Sequence, residues 1–245
     1  MIKIERMAEM NLYALSMSEW WQAVVKEFNR TMIVDDRWKM FASGLGVTMM
    51  IWFFAVILGV VIGILVAFGK LSRVKPLNWI SNIYIDVIRG TPTMVQIMII
   101  YFIIFASVAI DRRIVAIIGF GINSGAYVAE IIRGGILSVN KGQTEAGRSL
   151  GLTHNQTMFR IILPQAIKNI LPALGNEAIV LVKETAVIGY IAKVDLTAAA
   201  LQVQSRTYSY LGPLLAIAII YYVIIKIMTI LLGILEKKLR KSDIR

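Results

Sequence analysis

Long uncharged stretches dominate the hydrophobic pattern of the chain. Residues 44–68 are 25 consecutive residues without a charged side chain. Because an α-helix rises about 1.5 Å per residue, about 20 such residues already cross the hydrocarbon core of a bilayer. The pattern predicts an all-α, polytopic membrane protein with five spans, at about 41–68, 93–110, 114–132, 170–192 and 211–235.

The second predicted span has a helix-start signal, and the residues before the first span form a separate element. Thr91 is expected to cap the second span, with Pro92 at the first helical position, where a missing N–H costs nothing. Residues 1–38 form a polar leader, and residues 39–245 the five-span domain. Apolar side chains such as Trp20 and Trp21 lie on one side of a predicted leader helix, which favours an amphipathic interfacial helix. The alternative is that this helix packs on the protein's own spans.

Positive charge is concentrated in three polar segments of the chain, which has a formal net charge of +11. These segments are the connection between the first two spans, residues 133–169 and the C-terminal tail. Cytoplasmic loops carry such an excess of Lys and Arg, so residues 133–169 and the C-terminus are expected in the cytoplasm and the N-terminus outside a cell membrane. Attraction to the anionic lipid bilayer accounts for the charge, and no motif indicates a nucleic acid.

The longest polar segment predicts an elbow of two short helices, at about residues 140–168. The first helix includes residues 145–150, and Gly151 can end it in a left-handed conformation. Thr153 and Gln156 then form a capping box for the second helix. Pro164 lies where that second helix is expected to kink or end.

The same segment carries a recognisable motif. Glu145, Ala146 and Gly147, followed by Gly151 and by residues 161–164 (Ile-Ile-Leu-Pro), resemble the EAA loop of importer permeases of the ATP-binding-cassette (ABC) superfamily. Glycine at 147 stands where alanine is usual. Further stretches resemble the polar amino acid branch of that family, whose members carry histidine, glutamine, arginine or cystine. They are residues 88–96, 123–131 and 174–185, and the resemblance covers about residues 38–240.

The resemblance implies a MetI-like permease core that pairs with a second copy or a homologue to form a translocation pathway for polar amino acids. An extracytoplasmic amino-acid-binding protein would deliver the substrate, and the elbow would sit in a groove of a separate ATPase subunit. The implied coupling residues are Glu145, Ala146, Gly147, Gly151, Leu163 and Pro164. The sequence contains no G-x-x-x-x-G-K-[ST] loop, so we expect no cofactor here and ATP bound and hydrolysed by the partner subunit.

Charged and polar residues inside the predicted spans are candidates for the substrate site, because a charge at a helix centre costs roughly 2.5–3.5 kcal/mol. They are Glu177, Lys183 and Glu184 in the fourth span, and Asn123 and Ser124 in the third. An internal ion pair or a contact between protomers is the alternative for the charges, and bonding across helices for the amides and hydroxyls. Adjacent residues point about 100° apart on a helix, so Lys183 and Glu184 cannot both fully face one ligand. We favour Glu184.

Other classes of protein fit the pattern less well. A membrane-embedded enzyme needs convergent catalytic groups, and the sequence has no cysteine, one histidine (His154) and neither an HExxH nor a GxSxG motif. The lone histidine also provides no metal site. A bare assembly or receptor subunit would suit the leader helix but not the elbow. Co-purification with an ATPase would separate the permease from both.

Overall fold

The computed structural model describes residues 17–191 and 195–240, and within these ranges the regular structure is helical. Residues 1–16 of the predicted leader and the last five residues of the tail lie outside the described part. The α-helices are α1 Met17–Phe28, α2 Trp38–Leu71, α3 Lys75–Arg89, α4 Thr93–Ile99, α5 Arg112–Leu137, α6 Lys141–Ser149, α7 His154–Thr157, α8 Leu163–Glu184, α9 Ile188–Ile191, α10 Leu196–Thr207 and α11 Leu211–Arg240.

Three helices in the described part of the chain, α2, α5 and α11, are each long and apolar enough to cross a membrane. Two bent pairs reach the same length and composition: α3 with the α4 segment, and residues 154–191 with α10. Counting each bent pair as one span gives up to five spans. The predicted number of five is therefore compatible with the structure, although two of the spans are broken.

Helix α2 is the centre of the fold and packs most extensively against α5. Small residues allow the two backbones to approach closely, because a Cβ at Gly59 would lie 3.0 Å from the Ser124 Cβ, and one at Gly63 would overlap Val128. Buried apolar side chains of α2, α4, α5, α8 and α9 meet beside this contact. This core consists of Ile51, Ala55, Ile97, Ala116, Phe120, Leu181 and Ile188.

The second span differs from its predicted form. Helix α3 was not expected, and it meets the next helical segment, Thr93–Ile104, at a bend of 107°. The predicted cap is also wrong. Thr91 donates a hydrogen bond to the Val87 carbonyl (2.8 Å), so it ends α3 instead of starting α4, and Pro92 precedes the first helical residue. The span is short because its helix ends at Ile104.

The fourth span also differs from its predicted form. Helix α7 continues through a widened π-type turn, Met158–Ile162, directly into α8. Pro164 lies in the first turn of α8, a position that tolerates proline, so the helix does not end there as predicted. Helix α8 ends at Glu184, where a 3₁₀ turn, Thr185–Val187, leads directly into α9.

The connection between the predicted fourth and fifth spans contains the buried helix α10. Asp195 caps it by accepting a hydrogen bond from the Ala198 N–H (2.9 Å). Alanines on this helix let it pack closely against α2 and α11. The sequence of this segment did not indicate a buried helix, because the residues that face the core are mostly small and the others are polar.

The described part of the leader touches the rest of the protein at the C-terminal end of α1 and just after it. No residue of α1 is buried, whereas Glu27 accepts a hydrogen bond from the Ser209 hydroxyl and Arg30 donates to the Thr207 carbonyl. Trp21 is 61% exposed on the apolar side. The interfacial position of this helix stays a prediction, anchored here at its C-terminal end.

The orientation of the spans can be tested with two matched serine substitutions, because the chain has no native cysteine. Ser107 is exposed in the segment between α4 and α5, and Ser149 is exposed at the end of α6. We expect Ser107→Cys to react with an impermeant maleimide added to intact cells, and Ser149→Cys to react only after permeabilisation. The reverse pattern would place the elbow outside the cell and contradict the predicted orientation.

Candidate functional site

The elbow between α5 and α8 has the two-helix shape that the sequence predicts. Gly151 has a φ of +80°, and the N–H groups of Gly151 and Leu152 bond to the carbonyls of Arg148 (3.0 Å) and Gly147 (3.1 Å). This is a Schellman motif, which ends a helix through a left-handed residue. Thr153 and Gln156 then form the predicted capping box of α7.

Gly147 lies where the two elbow helices touch. A Cβ at this position would lie 2.8 Å from the Thr157 Cγ2 and 3.0 Å from the Ile161 Cδ1. The absence of a side chain therefore lets the helices pack against each other, which explains glycine where alanine is usual.

The outer surface of the elbow combines charge with apolar side chains. Glu145, Ala146 and Pro164 are exposed, and Leu163 is half-buried. Leu150 is 80% and Phe159 63% exposed. Large apolar groups presented beside charged ones on a protruding surface are typical of a protein–protein contact.

The candidate substrate residues form two contacts between helices. The Ser124 hydroxyl of α5 donates to Glu177 of α8 (3.3 Å). Asn123, 1% exposed, donates to the Gln96 side chain of α4 (2.8 Å). Asn123 is therefore engaged in bonding across helices, the alternative considered from the sequence.

Three roles were left open for Lys183 and Glu184: a substrate contact, an internal ion pair or a contact between protomers. Among the described residues they form no ion pair with each other. Lys183 is exposed and Glu184 half-buried. Glu184 follows Glu177 by seven residues, which is two helical turns, so both carboxylates lie on one face of α8.

Gln96 joins three parts of the bent second span, although sequence analysis did not select it as a site residue. Its amide nitrogen lies 2.7 Å from the Ile88 carbonyl and 2.7 Å from the Thr91 hydroxyl, and its oxygen accepts the bond from Asn123. These bonds fix the bend between α3 and α4 against α5. The available signal was a lone amide in an otherwise apolar stretch, which must be satisfied when buried.

Glu130 lies at the other end of α5 within a cluster of basic side chains. It pairs with Lys70 of α2 (2.7 Å) and with Arg133 (2.9 Å), and more distantly with Arg89 of α3 (3.6 Å). The Arg89 guanidinium also lies over the Tyr127 ring, 5.4 Å from its centroid. The cluster joins the ends of three helices, which gives Glu130 a structural role.

The connection before α5 contains an exposed ion pair between Arg113 and Asp111. Arg113 donates to Asp111 at 2.6 Å and 3.0 Å, and the Asp111 side chain also accepts the Arg113 backbone N–H. These bonds lower the pKa of Asp111 to about 2. The carboxylate therefore stays charged at physiological pH and caps the start of α5.

Comparison with known proteins identifies the class. Residues 59–241 match the family described as binding-protein-dependent transport system inner membrane component, and the chain belongs to that family. The predicted resemblance to importer permeases is confirmed, and the chain is a multi-pass membrane protein of a transporter family.

Among its relatives is the arginine transport system permease protein ArtQ of Bacillus subtilis, 41% identical over 203 residues, or 82% of this chain and 93% of that protein. The L-cystine transport system permease protein TcyB of the same organism is 36% identical over 210 residues, 85% of this chain and 90% of that protein. The putative glutamine transport system permease protein GlnP of Rickettsia typhi is 42% identical over 199 residues, 80% and 91%.

Solved structures agree with the fold. An amino acid ABC transporter crystallised with histidines matches at a TM-score of 0.78 and 46% identity, covering 82% of this chain and 94% of that one. The MetNI methionine transporter matches at a TM-score of 0.60 and 18% identity, covering 92% and 99%, which supports the fold alone. The predicted all-α, MetI-like permease fold is confirmed.

The role of Gln96 can be tested by Gln96→Leu, which keeps the size of the side chain and removes its polar atoms. The Asn123 amide and the Ile88 carbonyl would lose a buried partner, at about 1–3 kcal/mol for each group left unsatisfied. We expect a clear fall in the unfolding temperature of the purified protein. The matched control is Gln165→Leu, because Gln165 is exposed and makes a local bond to the Ile161 carbonyl. Equal effects of the two substitutions would contradict the assignment.

Proposed function

We propose that this chain is the transmembrane permease subunit of an ABC importer for polar amino acids, coupled through its elbow to a separate ATPase. The observation that carries the proposal is that one continuous helical segment joins the elbow to the candidate substrate residues. Residues 154–184 run from the second elbow helix through the widened turn into α8, which bears Glu177 and Glu184. A displacement of the elbow by an ATPase would therefore reach these carboxylates through one helix.

The coupling residues divide by their surroundings. Glu145, Ala146 and Pro164 are exposed and suited to direct contact with the ATPase. Gly147 acts instead by allowing the two helices to touch, and Gly151 by forming the turn. Leu163 is half-buried at the start of α8. ATP binds to the partner subunit in this proposal.

Substrate would pass along α8 and α5. Ser124, Glu177 and Glu184 are the polar groups offered to it, with Asn123 supporting the α5 side through Gln96. Lys183 points about 100° away from Glu184 and is exposed, which suits a contact with the second permease subunit, a copy or a homologue.

The relatives named for arginine, glutamine and cystine support an amino acid as cargo. An extracytoplasmic amino-acid-binding protein would deliver it to the outer side, and the C-terminus would lie in the cytoplasm.

The proposal is tested by purifying the tagged chain from its native membrane. We expect an ATPase subunit to co-purify and its ATP hydrolysis, in liposomes with the binding protein, to rise when a polar amino acid is added. Purification of the chain without an ATPase, or ATP hydrolysis that no amino acid stimulates, would overturn the proposal.

Coupling through the elbow is tested at Gly151, whose φ of +80° suits glycine and is tolerated by asparagine but is strained for a β-branched residue. We expect Gly151→Val to abolish most amino-acid-stimulated ATP hydrolysis and transport together, while the chain still inserts into the membrane. Gly151→Asn is the matched control and should retain most activity. Normal transport by the valine variant would contradict the role given to the elbow.

A further inference from the structure

A buried carboxylate lies at the start of α10. Asp195 is 1% exposed, and its Oδ1 caps the helix by accepting the Ala198 N–H (2.9 Å). Its Oδ2 is also buried but has no hydrogen-bond or ion-pair partner among the described residues. Because a buried charged acceptor without a partner is strongly destabilising, this oxygen indicates a bound group.

Four hydroxyl groups lie close to this carboxylate. Tyr221 of α11 places its hydroxyl within electrostatic reach of Asp195. The same hydroxyl lies beside three buried threonine hydroxyls, those of Thr48, Thr185 and Thr197. The Tyr221 and Thr197 oxygens nevertheless have no hydrogen-bond partner among the described residues. Oxygens from α2, α10, α11 and the turn after α8 therefore meet in one buried place without bonding to one another.

Two of the threonines are held so that their oxygens can still accept a ligand. The Thr185 hydroxyl donates its hydrogen to the Val182 carbonyl (2.7 Å), which leaves the lone pairs of its oxygen available. The Thr48 oxygen accepts the Leu196 N–H (3.0 Å) with one lone pair and keeps the second. Together with the carboxylate, such hydroxyl oxygens are ligands for a hard cation.

Two glycines allow the backbone to close around these oxygens. A Cβ at Gly189 of α9 would lie 2.5 Å from the Asp195 Oδ1 and 2.5 Å from the Thr197 Cβ. A Cβ at Gly44 of α2 would lie 2.8 Å from the Asp195 carbonyl oxygen. Both helices therefore approach the start of α10 closely, which limits the site to a ligand the size of a single ion or water molecule.

Charge indicates which small ligand fits. No Lys, Arg or His nitrogen lies within 4 Å of the Asp195 carboxylate in the described part of the chain. The N-terminus of α10 supplies only about half an elementary charge. A water molecule would leave the rest of the negative charge buried, and a divalent cation would replace it with a positive one. A monovalent cation neutralises it.

We infer that α2, α10, α11 and the turn after α8 form a buried site for one Na⁺ ion, bound by Asp195 and by the hydroxyls of Thr48, Thr185, Thr197 and Tyr221. These five oxygens suit Na⁺ better than K⁺, because the larger ion calls for a wider site and more ligands. The ion neutralises Asp195 and joins the turn after α8 to three helices. The inference does not depend on the importer function.

Unfolding temperatures of the purified full-length chain test the inference in NaCl, KCl and choline chloride at equal ionic strength. A ligand that binds only the folded state raises the unfolding temperature. We expect a rise of about 3–6 °C over choline chloride when Na⁺ reaches about tenfold its dissociation constant, and a smaller rise with K⁺. Equal temperatures in NaCl and choline chloride, or in NaCl and KCl, would overturn the inference. The first result would assign the site to a bridging water.

Substitutions then assign the ligands. Asp195→Asn removes the charge but keeps a good helix cap, and we expect it to abolish the rise in NaCl. Tyr221→Phe should raise the Na⁺ concentration needed for half of the rise by about tenfold. The matched control is Tyr222→Phe, which should change neither, because Tyr222 is 68% exposed. A full response to Na⁺ in Asp195→Asn would overturn the role given to Asp195.

Direct binding to the unmodified chain decides where a variant fails to fold. Equilibrium dialysis of the purified chain with radioactive Na⁺ should show saturable binding of one ion per chain, which excess choline does not displace. No saturable binding would refute the site. Neither readout involves ATP or an amino acid, so failure of the Na⁺ site would leave the importer function intact, and failure of the importer function would leave the Na⁺ site intact.

Discussion

Polar side chains inside the hydrocarbon must find partners within the protein, since lipid offers none. Helix α5 is joined to its neighbours by such pairs at three levels. Asn123 bonds to Gln96 of α4, Ser124 to Glu177 of α8, and Glu130 to basic residues of α2 and α3. Glycines on α2 let the apolar surfaces close around these pairs. The polar contacts thus fix which helices are neighbours, and the small residues fix how near they lie.

The parts of the fold that could be predicted were those governed by local rules. Apolar length identified α2, α5 and α11 as spans, and turn chemistry placed the left-handed Gly151 and the capping box of the elbow. Both signals depend only on residues that are close together in the sequence. The motifs around the elbow were specific enough to indicate the family, which the comparisons confirmed.

The parts that could not be predicted depend on contacts distant in sequence. Helix α10 reads as a polar loop because its burial depends on small residues facing α2 and α11, and Thr91 reads as a cap although it closes the preceding helix. The bend at residues 90–92 is held by Gln96 and, through it, by α5. For the candidate site, residue type selected the polar groups, but only the coordinates distinguished Asn123, which bonds to Gln96, from Glu184, which has no ion-pair partner among the described residues.

Gly147 has a consequence for how the elbow can change over evolutionary time. Its lack of a side chain serves the contact with Thr157 inside the elbow, whereas its neighbours Glu145 and Ala146 face outward. The positions of one short motif are therefore constrained by different contacts. Residue 147 is constrained by packing within its own chain, and residues 145 and 146 are constrained by the surface that docks there. When a permease and its ATPase diverge together, compensating changes should accumulate at the outward positions and bypass residue 147.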